Sequence, residues 1–113
     1  MKKNATIFVK HILESINLIE KYKQGITEDQ FHKSTEKQDV IVRRLEIIGE
    51  ATKNLSNEFR EKYPEVPWKG MAKMRDRISH HYFDIDYNIV WDTAINMLPP
   101  LRKQIEKILQ KET

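Results

Sequence analysis

A chain of 113 residues with 39% apolar and 33% charged side chains, three glycines and four prolines is expected to form one domain with one packed core, and its composition argues against a disordered polyelectrolyte. The absence of cysteine excludes a disulfide framework, a thiolate zinc site and a cysteine nucleophile, and it fits a reducing cytoplasm. The net charge of +3 is uninformative until it is located: between Trp68 and Tyr82, Lys69, Lys73, Arg75 and Arg77 stand against Asp76 alone, so this one segment carries the whole excess.

The chain opens with MKKNATIFVKHILESI, whose basic start resembles a leader. Lys10, His11 and Glu14 interrupt any apolar run, so neither a signal segment nor a membrane anchor is expected. Ala5, Phe8, Val9, Ile12, Ile16 and Ile19 recur at steps of three and four, which predicts an amphipathic helix of about six turns. Gly25 can take the left-handed position after its end, and Thr27 can cap a short helix or turn through TEDQFHKS. A second long helix is expected from Thr35, as N-cap, to Leu55, with Ile41, Leu45, Ile48, Ala51 and Leu55 inward. Gly49 inside it costs about 1 kcal/mol relative to alanine, so a second helix is expected to approach closely beside Ala51.

YPEVPW is a connector, because Pro64 and Pro67 each disfavour helix in the residue before them. A short helix follows with Met71, Met74 and Ile78 on its inner side. YFDIDYN breaks that pattern, and Asp86 can cap the last helix. There Trp91, Ala94, Ile95, Leu98, Leu101, Ile105 and Ile108 share one phase, with Pro99 and Pro100 expected to kink or split it. The reading is a single all-α domain over residues 1–113, an up-and-down bundle of four to five helices.

Chemistry concentrates in RDRISHHY, residues 75–82. Phosphodiester cleavage in RNA needs a base for the 2′-hydroxyl, an acid for the departing 5′-oxygen and a cation for the charge gathering on phosphorus. Imidazole, titrating near about 6.5, serves as acid or base, while a guanidinium grips two phosphate oxygens and stays charged. A phenol can orient a phosphate oxygen, and Lys73 and Arg77 can hold the RNA backbone. This scheme requires no metal or other cofactor. On one straight helix, however, Arg75 and His80 lie about 140° apart. Either the helix ends near Ser79 and the chain turns back, or two subunits combine their residues. The alternative reading is a solvated or partner-binding basic face, with Tyr82 and Phe83 as packing. His11 with Glu14 and Asp29 with His32 have i, i+3 metal-ligand spacing but no third ligand, and surface pairs are the expected reading. Trp68 and Trp91 are expected packing anchors that can also flank an RNA base.

Arg75, His80 and Tyr82 match the pattern R-x-x-x-x-H-x-Y inside PWKGMAKMRDRISHHYFDID, preceded by IIGEATKNL and followed by VWDTAINMLPPLRKQIEKI. Over nearly its whole length the chain resembles the HepT-like branch of the HEPN superfamily, the toxin half of prokaryotic HepT/MntA toxin–antitoxin pairs. The resemblance implies a helical homodimer whose shared cleft is a metal-independent endoribonuclease. By analogy Arg75 binds the scissile phosphate, His80 is the acid/base, Tyr82 supports the site, and Asp76, where asparagine is frequent, orients Arg75 or His80. It also implies an antitoxin partner, an MntA-like minimal nucleotidyltransferase that transfers AMP from ATP to Tyr82. Two further readings stand beside the RNase toxin. One is a non-catalytic helical module that binds a nucleotidyltransferase or nucleic acid, and the other is a purely structural bundle.

Overall fold

The computed structural model describes residues 2–80 and 84–113, apart from the side chains of residues 2–4, 79 and 80. Helix α1 spans Lys2–Lys23 and buries Val9, Ile12, Ile16 and Ile19, the stripe that the spacing predicts. Each of these side chains, fully removed from water, contributes about 1.5–3 kcal/mol. Gly25 follows at φ +77°, a conformation costly for any residue with a Cβ, and it ends the helix as expected. Thr27 then starts α2, Glu28–Lys33, through a reciprocal cap. Its hydroxyl accepts from the Gln30 amide at 3.1 Å, and its own amide donates to Gln30 Oε1 at 2.9 Å.

Helix α3 spans Thr35–Lys53, and its cap is Ser34 rather than Thr35: the Ser34 hydroxyl accepts from the Lys37 amide at 3.2 Å. Ser34 has the extended backbone a cap requires, whereas Thr35 is already helical. A further helix, α4, spans Asn57–Lys62, where periodicity gives no signal because six residues complete fewer than two turns. Ser56 caps it by accepting from the Phe59 amide at 3.1 Å. The proline connector leads into α5, Trp68–His80, and Asp86 caps α6, Tyr87–Asp92, through the amides of Asn88 and Ile89 at 2.9 and 3.4 Å.

The last helix is divided just ahead of its prolines, in line with the expected kink or split. Thr93–Met97 form a π-turn in which the Leu98 amide donates to the Thr93 carbonyl, and α7, Leu98–Glu112, begins with Pro99 and Pro100 in its first turn. Pro99 and Pro100 have no N–H to donate and their rings crowd the preceding turn, and the wider π-turn lies directly before them. The wider turn also changes the phase. Val90, Ala94 and Leu98 are buried at steps of four, and Ile95, placed inward by a uniform 3.6-residue period, is 38% exposed.

Among the described residues the architecture is all-helical, with four long runs: α1, α3, α5 and the run from α6 through the π-turn to α7. Helix α1 packs between α3 and α7, and α3 packs between α1 and α5, so α5 lies on the flank of the bundle. Phe31 from α2 closes one end against Tyr87 and Trp91, with ring centroids 6.2 and 5.1 Å away. Trp68 is buried, and its Nε1 donates to the carbonyls of Tyr63 and Arg60 at 2.9 and 3.2 Å, so it anchors the start of α5 and is closed to a base. Among the described residues, no helix is long and apolar enough to cross a membrane.

The connector is tied to the last turn of α7 by Tyr63, whose hydroxyl donates to the Glu112 carboxylate, which also takes Lys62 Nζ at 2.8 Å. Burial, then the hydrogen bond and charge of Glu112, push the Tyr63 phenol up to about 12 from its ordinary value of 10.0. Its protonated form is thus favoured by folding, and the associated stability is complete below pH 10 and lost as pH rises toward 12. Thermal unfolding followed across that interval should show a steeper loss for the native protein than for Tyr63→Phe, which cannot ionise.

Candidate functional site

The basic octet begins on a helix whose two sides do different work. Met71 and Ile78 are buried and Met74 is half-buried, which fixes the inner side of α5. Lys69, Lys73 and Arg77 recur every four residues and are all exposed, forming an outer cationic stripe. Four residues rise about 6 Å along a helix axis. Arg75 stands apart from this stripe and turns toward α3.

There the interior glycine has its explanation. A Cβ on Gly49 would collide with Arg75 Cβ and would lie 2.9 Å from the Met71 carbonyl oxygen and 3.0 Å from Arg75 Cγ. The expected close approach of a second helix is therefore the α3–α5 crossing, and Arg75 rests on the space the missing methyl leaves. The next residue on α3, Glu50, places Oε2 3.0 Å from Arg75 Nε. Asp76 Oδ1 lies 3.5 Å from Arg75 Nη1 and also takes the ammonium of Lys53, one turn beyond Gly49. The Lys53 hydrogen bond, with smaller help from Arg75 against some desolvation, holds the Asp76 carboxyl below the usual carboxylate range. The alternating chain Lys53–Asp76–Arg75–Glu50 is only partly covered, so its energetic contribution to folding is small and its effect is orientation.

The Arg75 side chain, 33% exposed, lines one part of a groove of about 490 Å³ between α1 and α3. Phe8 and Ile47 supply apolar wall, His11 and Asn54 supply polar groups, and Arg43 and Arg44 stand with Glu14, Glu46 and Glu50 in the same lining. Arg75 is therefore a partly exposed cation of fixed orientation beside an open groove.

Of the residues picked out from the sequence, the structure brings Arg75 and Asp76 into contact and sets Lys73 and Arg77 on the outer stripe. His80 is the last described residue of α5, so the helix includes the Ser79 near which it was expected to end. Tyr82, with His81 and Phe83, lies outside the described residues. Along α5 the Cα positions of Arg75 and His80 are separated by about 140° of rotation and about 7.5 Å of rise. His32 pairs with Glu28 at 3.2 Å, and Asp29 pairs with Lys33 at 3.0 Å, so the i, i+3 pairing of Asp29 with His32 does not form. Among the described residues, no group of three His, Asp or Glu side chains is placed to hold a metal ion. Glu50 and Lys53 were not legible as site residues: each reaches α5 across more than twenty positions of chain, and nothing periodic marks such a contact.

Residues 12–108 match the Ribonuclease HepT-like family. The chain belongs to that family. It is 48% identical over 111 residues to "Gamma-glutamylcyclotransferase and putative RNase MJ0434" of Methanocaldococcus jannaschii, covering 98% of this chain and 50% of that protein, so it spans about half the length of that relative. It is 47% identical to "Putative RNase MJ0127" of the same organism, over 96% of this chain and 90% of the other. It is 39% identical to "Probable ribonuclease HepT" of Thermococcus cleftensis, over 96% and 98% of the two chains. No solved structure matches. The HepT-like family assignment bears out the resemblance carried by RDRISHHY and its flanks, and the all-helical bundle agrees with it.

Proposed function

We propose that this protein is a metal-independent endoribonuclease toxin that acts as a homodimer, with Arg75, His80 and Tyr82 forming its site. The observation that carries the reading is the Arg75 guanidinium, held by Glu50 and Asp76, partly exposed beside a groove, and five residues before a histidine on the same helix. The RNase names of its HepT-like relatives support RNA as the substrate, as does the outer stripe of Lys69, Lys73 and Arg77. The rotation between positions 75 and 80 favours a cleft built from two copies, each contributing an arginine and a histidine.

In that cleft Arg75 neutralises the non-bridging phosphate oxygens and stabilises the charge of the pentavalent transition state. One imidazole removes the proton of the 2′-hydroxyl as its oxygen attacks phosphorus. A second imidazole protonates the 5′-oxygen as the P–O5′ bond breaks, leaving a 2′,3′-cyclic phosphate and a 5′-hydroxyl. Tyr82 orients a phosphate oxygen. An antitoxin nucleotidyltransferase silences the site when the Tyr82 hydroxyl attacks the α-phosphorus of ATP and pyrophosphate departs. The attached AMP brings negative charge and bulk into a basic cleft.

The test is incubation of the purified protein with single-stranded RNA in EDTA, with analysis of the product ends. Fragments ending in 2′,3′-cyclic phosphate are expected. RNA left intact by folded, dimeric protein would reject the enzyme and leave a binding module.

A further inference from the structure

We infer that Glu50 is a positioning residue for Arg75, turning the guanidinium so that its Nη edge meets the scissile phosphate; the inference rests on the ribonuclease reading above. A guanidinium can grip phosphate side-on, through Nε and one Nη, or end-on, through both Nη groups. Nε carries a single hydrogen, and Glu50 Oε2 takes it at 3.0 Å, so the side-on edge is closed. Among the described residues, the end-on edge is met by Asp76 at 3.5 Å from Nη1, a contact long enough to yield to phosphate. Asp76 stays on its own side of the site because Lys53 holds it.

Two consecutive residues of α3 thus share one task. Gly49 leaves the space in which Arg75 Cβ and Cγ rest, fixing the first half of the side chain, and Glu50 fixes the second half at Nε. The ion pair is not a stability device. The Glu50 side chain is 55% exposed and that of Arg75 33%, and pairs so open to water contribute little to folding. A carboxylate beside an RNA site also repels the substrate, so its presence points to a gain in orientation rather than in binding.

Steady-state cleavage of one RNA in EDTA separates these effects. Glu50→Ala should lower kcat by roughly 10- to 100-fold, as a misplaced catalytic group does. KM should stay level or fall, because a repelling charge has gone. Glu50→Gln keeps an oxygen that can accept from Nε and should retain activity within about fivefold of the native protein. In an Arg75→Lys background, where no Nε fork exists, Glu50→Ala should change kcat by less than about twofold. Thermal midpoints should stay within about 3 °C of the native value in both Glu50 variants.

Native kcat in Glu50→Ala, with Arg75→Ala inactive, would overturn the positioning role and leave the ribonuclease reading standing. An equal loss in the Arg75→Lys background would also overturn it, since Glu50 would then act on something else. Native activity in Arg75→Ala would overturn both.

Discussion

Substituting His80 by alanine is expected to lower the kcat/KM of RNA cleavage by about 10²- to 10⁴-fold, the usual worth of a general acid or base. On the proposed mechanism the loss should fall on kcat, because the proton transfers occur in the transition state, while the phosphate contacts proposed for Arg75 and the outer cationic stripe are left in place. The same substitution should flatten the pH dependence near neutrality. An unperturbed imidazole titrates at about 6.5, so a mechanism needing one imidazole neutral and another protonated peaks in that region and declines on both sides. In a homodimer both copies of the catalytic pair disappear together. Cleavage by His80→Ala within about threefold of native, with a pH profile of the same shape, would remove the imidazole from the chemistry.

What was readable in the sequence and what was not divides along contact range. Gly25, Thr27 and Asp86 act on backbone groups two or three residues away, so each was recognisable from its neighbours and each performs the expected task. The cap expected at Thr35 lies one residue earlier, at Ser34, which is the scale at which two adjacent hydroxyls cannot be told apart before the backbone is known. Ile95 was misassigned for a subtler reason. Pro99 and Pro100 declared a disturbance, but not that it would be absorbed upstream as a π-turn that rotates residue 95 outward. For the site, Arg75 stood out because a charge cluster is local. Glu50 and Lys53 lie within IIGEATKNL, a segment that shares in the likeness to the family, yet their contacts depend on α3 crossing α5 at one particular residue. Only Gly49 hinted at that crossing. A small residue in a helix interior records a missing volume, although it does not say whose volume fills it.

That crossing makes Gly49→Ala the substitution with the largest expected structural effect. Alanine is the better helix former by about 1 kcal/mol, so in isolation the change would stabilise α3. Here the new methyl would collide with Arg75 Cβ and press on the Met71 carbonyl at 2.9 Å, and that second contact is backbone, which no rotamer change relieves. The two helices must separate, and overpacking of this kind costs about 3 kcal/mol at the upper end of its usual range. The net loss of about 2 kcal/mol should lower the thermal midpoint by about 10 °C in a domain of this size. Because the displaced atoms belong to Arg75, RNA cleavage should fall even at temperatures where the variant is fully folded. Gly70 supplies the control, since a Cβ there meets nothing within 4 Å. Gly70→Ala in exposed α5 should raise the midpoint by several degrees, from about 1 kcal/mol of helix propensity, and leave cleavage unchanged. The same chemical change would then act in opposite directions at the two glycines. A midpoint for Gly49→Ala at or above that of Gly70→Ala would show that α3 and α5 do not meet at residue 49.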